Sequence, residues 1–162
     1  MSYLLVNDEN ETLEEFLLRY KKYYDYIETV KQAMPQAAYM FAIAPWHYNH
    51  NDPRCPHDAW IETIKVREIA SGSRSQIRST EIFIRLLGAF HDGYIEITYE
   101  KVVNYSIIQN TPDGHGDWML DEIRLSEEKI VIHEIIFVGG RCMIVCEDII
   151  YQWKPFSKID SA

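Results

Sequence analysis

Residues 118–151 read WMLDEIRLSEEKIVIHEIIFVGGRCMIVCEDIIY, the most regular stretch of the 162-residue chain. Apolar residues recur there in twos, the spacing that puts alternate side chains on one face of an extended backbone. Trp118 to Leu125, Ile130 to Val138 and Arg141 to Tyr151 therefore read as a three-stranded antiparallel meander. Glu127-Glu128 and Gly139-Gly140 are the expected turns, the second with glycines to supply positive φ angles.

The period of two extends upstream. Ile95, Ile97 and Tyr99 alternate with Glu96, Thr98 and Glu100, the mark of a half-buried strand. Ile82, Ile84 and Leu86 alternate with Phe83, Arg85 and Leu87, while Trp60, Ile64 and Val66 punctuate an earlier strand. A further strand is expected from Val102 to Ile108. Before residue 57 the spacing changes to threes and fours. Leu13, Phe16, Leu17, Tyr20, Tyr24, Ile27, Val30 and Met34 form the stripe of an amphipathic helix. Thr12-Leu13-Glu14-Glu15 opens it as a capping box, and Pro35 ends it by removing a backbone donor. Ala37 to Ala44 reads as a short second helix. The expectation is one α+β domain over residues 1–162, with a helix over 11–34 packed on an antiparallel sheet or open barrel of about six to seven strands across 57–153. Leu13, Phe16, Leu17, Tyr20, Ile27 and Val30 should make that contact.

Acidic residues outnumber basic ones 25 to 16, a formal charge of −9. That argues against a nucleic-acid binder, since phosphates demand clustered Lys and Arg. From Asp113 to Asp148, nine acids (Asp113, Asp117, Asp121, Glu122, Glu127, Glu128, Glu134, Glu147, Asp148) stand against Arg124, Lys129 and Arg141, leaving −6. Such an excess serves solubility or presents a face to a basic partner. Cys55, Cys142 and Cys146 make no disulfide framework. The first residues lack the basic and apolar regions of a secretory signal, and no apolar run approaches the roughly 20 residues of a membrane span. A reducing cytoplasm is the expected location, with no membrane partner.

Two constellations carry candidate chemistry. The loop from Pro45 gathers His47, His50, Asp52, Cys55, His57 and Asp58, which include nitrogen and sulfur ligand types that zinc takes. It holds a single cysteine and matches no common finger spacing, so no tightly held metal and no cofactor are expected. The pair His57-Asp58 resembles metal-dependent phosphohydrolases of the HD type only in itself, since those are all-helical. Asp58 is expected to act locally, accepting backbone donors and orienting His57. In the meander, turns at 127–128 and 139–140 would set Glu122 opposite His133 and His133 opposite Cys146. That row has the carboxylate–imidazole–thiol order of a nucleophilic cysteine, and it would raise the pKa of His133. A slip of one residue dissolves it.

His57-Asp58-Ala59-Trp60, Gly116-Asp117-Trp118-Met119-Leu120-Asp121-Glu122 and His133-Glu134-Ile135 together resemble a loose group of small uncharacterised bacterial proteins. These share an HD strand start, a W-[LM]-x-x-E strand and an HE strand. The resemblance covers about Pro56 to Tyr151 and leaves out the N-terminal helix. Some members look like immunity proteins that bind and block one secreted toxin each. The resemblance implies a non-enzymatic binding protein, with Trp118, Asp121, Glu122, His133 and Glu134 as binding residues and a basic toxin as partner. The alternative is a metal- or thiol-dependent hydrolase using the 47–58 loop or the Glu122/His133/Cys146 row.

Overall fold

A computed structural model describes residues 1–6 and 9–157. Its helices are α1 (Leu13–Val30) and α2 (Gln36–Ala42). Its strands are β1 (Trp60–Ser71), β2 (Ile77–Leu87), β3 (Gly93–Val102), β4 (Asn104–Gln109), β5 (Trp118–Leu125), β6 (Val131–Phe137), β7 (Gly140–Cys146) and β8 (Asp148–Pro155). They form two four-stranded antiparallel sheets in the orders β1-β2-β3-β8 and β4-β7-β6-β5. The fold is α+β, as the sequence indicates, with eight strands in place of six to seven.

The two sheets share one bent ribbon. β3 runs into β4 across Val103, and β7 runs into β8 across Glu147. At the bend the Val103 amide bonds the Val145 carbonyl (2.8 Å) and the Glu147 amide bonds the Glu100 carbonyl (2.9 Å). Strands that switch sheets make the corners of such packings. This corrects the single strand expected from Arg141 to Tyr151. The acidic pair Glu147-Asp148 interrupts the apolar run there, and the buried positions change phase from Cys142, Ile144 and Cys146 to Ile149.

The core lies between the sheets, with Ile82, Ile84, Ile95, Ile97, Ile123, Ile135 and Ile144 fully buried. α1 begins with the expected capping box, Thr12 accepting from the Glu15 amide and Glu15 reaching back to the Thr12 amide. It stops at Val30, four residues before Met34, and turns occupy the stretch ahead of Pro35, whose ring disfavours helix in the residue before it. Its inward line is Tyr20, Tyr23, Ile27 and Val30, with Phe16 half-buried. Leu13 and Leu17, expected to pack, are 73% and 57% exposed. Leu13 sits in the first turn at the helix end, and Leu17 is one position, about 100°, off the inward line.

The turns differ too. Phe137 pairs with Gly140, so the tight turn is Val138-Gly139. Neither Gly139 nor Gly140 has positive φ; the positive-φ glycines among the described residues are Gly72, Gly114 and Gly116. Gly140 is needed for space, because a Cβ there would strike the Ile108 carbonyl oxygen.

Tyrosines cover the free edge of β5. The Tyr23 hydroxyl donates to the Ile123 carbonyl (2.8 Å) and accepts from its amide (2.9 Å). Tyr26 accepts from the Leu125 amide at 2.9 Å, and Tyr48 donates to the Asp121 carbonyl at 3.0 Å. The Asp58 amide and Ala59 carbonyl bond the backbone of Trp118. An edge strand otherwise offers unpaired groups to any other chain, and here side chains of α1 and the following loop take the place of a ninth strand. Tyr23→Phe should therefore cost about 2 kcal/mol by urea denaturation, because it leaves buried backbone groups unpaired. Leu17→Ala, on the exposed side, should stay within about 0.5 kcal/mol.

Candidate functional site

β5 points Asp121 and Ile123 into the core and Leu120, Glu122 and Arg124 to the opposite face. The register pairs Ile123 with His133, Glu122 with Glu134, and Asp121 with Ile135. The loop ahead of β6 is longer than a two-residue turn, with Lys129 at φ 64° and the Ser126 amide bonded to the Ile130 carbonyl. Its extra length shifts the pairing by one residue and sends Glu122 and His133 to opposite faces. On the other side His133 pairs with Ile144, and Cys146 pairs with Val131. The Glu122/His133/Cys146 row does not exist.

Asp121 takes the place expected of Glu122. Its carboxylate, 2% exposed, accepts from His47 Nε2 (2.8 Å), His133 Nε2 (2.9 Å) and Trp118 Nε1 (3.3 Å). His47 Nδ1 faces the Phe41 carbonyl at 2.8 Å, so both nitrogens of that ring lie against oxygen acceptors. His133 Nδ1 accepts from the Tyr99 hydroxyl at 2.9 Å, which leaves His133 neutral with its proton on Nε2. Phe41 and Tyr48 stack on the His47 ring from 4.4 and 4.1 Å.

The electrostatics follow from that wiring. Burial alone would raise the Asp121 pKa, but the charge and hydrogen bonds of His47 and His133 outweigh it and hold the carboxyl well below its usual range. Burial lowers the pKa of His133, against the opposing pull of Asp121. The sequence expectation had the opposite sign because it gave His133 a carboxylate partner without the desolvation.

Glu122, fully buried, lies on the other face and holds the N-terminal segment. Its Oε2 accepts from the amides of Tyr3 (2.7 Å) and Leu4 and from Ser2 Oγ (3.3 Å), and its Oε1 lies 3.1 Å from Arg124 Nη1. Arg124 also bonds Glu134 at 3.1 Å, and Arg141 approaches Glu134 at 3.5 Å. Trp118, Asp121, Glu122, His133 and Glu134 thus come together around β5 and β6, all inside and all bonded to other groups of the chain. Of the nine acids between 113 and 148, only Asp113, Glu127, Glu128 and Glu147 are exposed, so the charge excess makes no continuous face.

The 47–58 loop scatters its candidates. His47 is buried with Asp121, Asp52 pairs with Arg54 at 2.7 Å, and Cys55 Sγ donates to the His47 carbonyl at 3.0 Å. The rings of His50 and His57 stack at 3.8 Å, with Asp58 3.2 Å from His57 Nδ1. Among the described residues, no group of three or more His, Cys, Asp or Glu is arranged to hold a metal ion. The donor atoms of the His47–Asp121–His133 group bond one another. Burial pushes the thiol of Cys55 up to about 11 and those of Cys142 and Cys146 up to about 12, so all three stay protonated near neutrality.

Access to the cluster is narrow. A cavity of about 20 Å³, lined by His47, His50, Cys55, His57, Trp118 and Asp121, reaches it, which is room for one water at most. Sequence reasoning named His47, Asp121 and His133 but did not join them. A charged residue on the core face of an otherwise apolar strand was the available signal, since such a residue demands partners. No family model, curated protein or solved structure matches the chain.

Two outcomes follow from the wiring. Asp121→Asn takes the carboxylate away from the buried donors of His47, His133 and Trp118 and should cost about 3–5 kcal/mol in urea denaturation. In the native state His133 resists protonation, whereas the unfolded chain takes up that proton near pH 6.5. Stability should then fall as pH drops below about 6.5, by up to 1.4 kcal/mol per unit for this group. His133→Gln should flatten that slope. Stability independent of pH between 7 and 5 in the native chain would contradict the assignment.

Proposed function

We propose that the protein acts by binding another protein, as a cytoplasmic, non-enzymatic inhibitor of the immunity-protein kind. The observation that carries this reading is the closure of the Asp121 cluster. Its groups are bonded to one another with no space for a substrate, so their chemistry goes to holding the fold. An enzyme gathers its ionisable groups in a concave, accessible site. The protonated thiols count against a nucleophilic cysteine in the same way.

The charge of −9 favours a basic partner, and the exposed acids Asp113, Glu127 and Glu128 lie in loops where such a partner could be steered. Electrostatic steering acts on association rate and is screened by salt. The test is co-expression and co-purification with the product of the neighbouring gene, followed by surface-plasmon kinetics. A one-to-one complex is expected, with an association rate that falls about tenfold from low to physiological salt and again in Glu127→Lys/Glu128→Lys. Absence of a complex, or hydrolysis of a substrate that Asp121→Ala abolishes without unfolding the chain, would overturn the reading.

A further inference from the structure

α1, the N-terminal segment and the outer face of the β5–β7 sheet leave a groove between them. It consists of two adjoining spaces of about 380 and 630 Å³ that share Phe16, His50 and Leu120. The walls are apolar, with Leu5, Val6, Leu17, Met119 and Ile136 among them. Val6, Leu17 and Met119 remain 49%, 57% and 42% exposed, so the groove has apolar surface still to bury.

Its charge sets it apart from the rest of the molecule. The chain has 25 acidic residues, yet none is among the described residues lining either space. The ionisable groups that do line it, apart from tyrosines, are His50, His57 and Arg141, all able to carry positive charge; of these His57 already faces the Asp58 carboxylate at 3.2 Å. Arg141 is only loosely held, 3.5 Å from Glu134 with half its side chain in solvent. The Tyr20 hydroxyl, on the groove wall, is buried without a hydrogen-bond partner. Spaces of this size, apolar with a few polar groups, suit small ligands.

We propose that this groove binds a small molecule with an apolar chain and a single carboxylate. The chain lies along Phe16, Leu17, Met119 and Leu120, and the carboxylate meets Arg141 and the His50–His57 pair. Burial together with the stacked His57 ring holds the His50 pKa down. A bound carboxylate would reverse that. The proposal is independent of the protein-partner reading, and either can fail alone.

The test titrates the purified chain with decanoate and with decyltrimethylammonium, which share a chain length and differ in charge. Decanoate should saturate one site at least about tenfold more tightly than the cation and move the His50 ring signals towards the protonated form. Leu17→Glu places a carboxylate in the groove and should abolish decanoate binding. Arg141→Gln should remove most of the preference for the anion. Both positions are exposed, so the variants keep the fold. No saturable decanoate binding, equal affinity for the two probes, or binding unchanged in Leu17→Glu would overturn the proposal. So would a dimer in sedimentation that Leu17→Glu dissociates, which would place a second copy in the groove.

Discussion

Asp121 carries its charge between two sheets, in a place where an unpaired carboxylate would cost several kcal/mol. Donors from three separate segments converge on it: Trp118 from its own strand, His133 from the neighbouring strand and His47 from the loop after α2. Each donor is fixed in turn, His47 by the Phe41 carbonyl and His133 by the Tyr99 hydroxyl of the facing sheet. One carboxylate therefore ties the helical layer to both sheets. Apolar packing supplies most of the folding energy, but it is non-directional. The hydrogen bonds add a geometry that apolar contacts alone would not impose.

The other organising constraint is the edge of β5. The four-stranded order leaves this strand with one side unpaired, and three tyrosine hydroxyls together with residues 58–59 complete it. Here the segments His57–Trp60, Gly116–Glu122 and His133–Ile135 acquire a physical meaning. Asp58 adopts a left-handed backbone (φ 64°), so the His57-Asp58-Ala59 segment can close the end of β5 at Trp118, while His133 hydrogen-bonds Asp121 further along the same strand. The motifs lie far apart in the chain and meet at one corner of the fold, where they secure an edge and a buried charge.

Much of this architecture is legible in the sequence. The change from a period of three and four to a period of two separates α1 and α2 from the strands, and the capping box at Thr12 locates the start of α1. The corner at Glu147 leaves a trace in the acidic pair Glu147-Asp148, where the buried positions pass from Cys146 to Ile149 and the alternation changes phase. Register, by contrast, is hidden. Ser126 to Ile130 admits more than one turn, and each choice reverses the faces of Glu122 and His133. The apolar stripe read from the sequence took in Tyr20 and Tyr24 but not Tyr23 and Tyr26, whose hydroxyls reveal a role only once β5 is known to be an edge. Leu13 and Leu17 show the limit of periodicity, which describes a helix and says nothing about how far its partner surface extends.

His133 holds its proton on Nε2, against Asp121, and leaves Nδ1 to the Tyr99 hydroxyl. Nitrogen-15 chemical shifts of that ring, followed by NMR across pH, measure the arrangement directly. A protonated Nε2 beside an unprotonated Nδ1 is expected at neutral pH. Burial holds the His133 pKa down, so the pattern should persist below about pH 6.5, where a free histidine titrates. A His133 that titrates like a solvent-exposed ring would contradict the closed network.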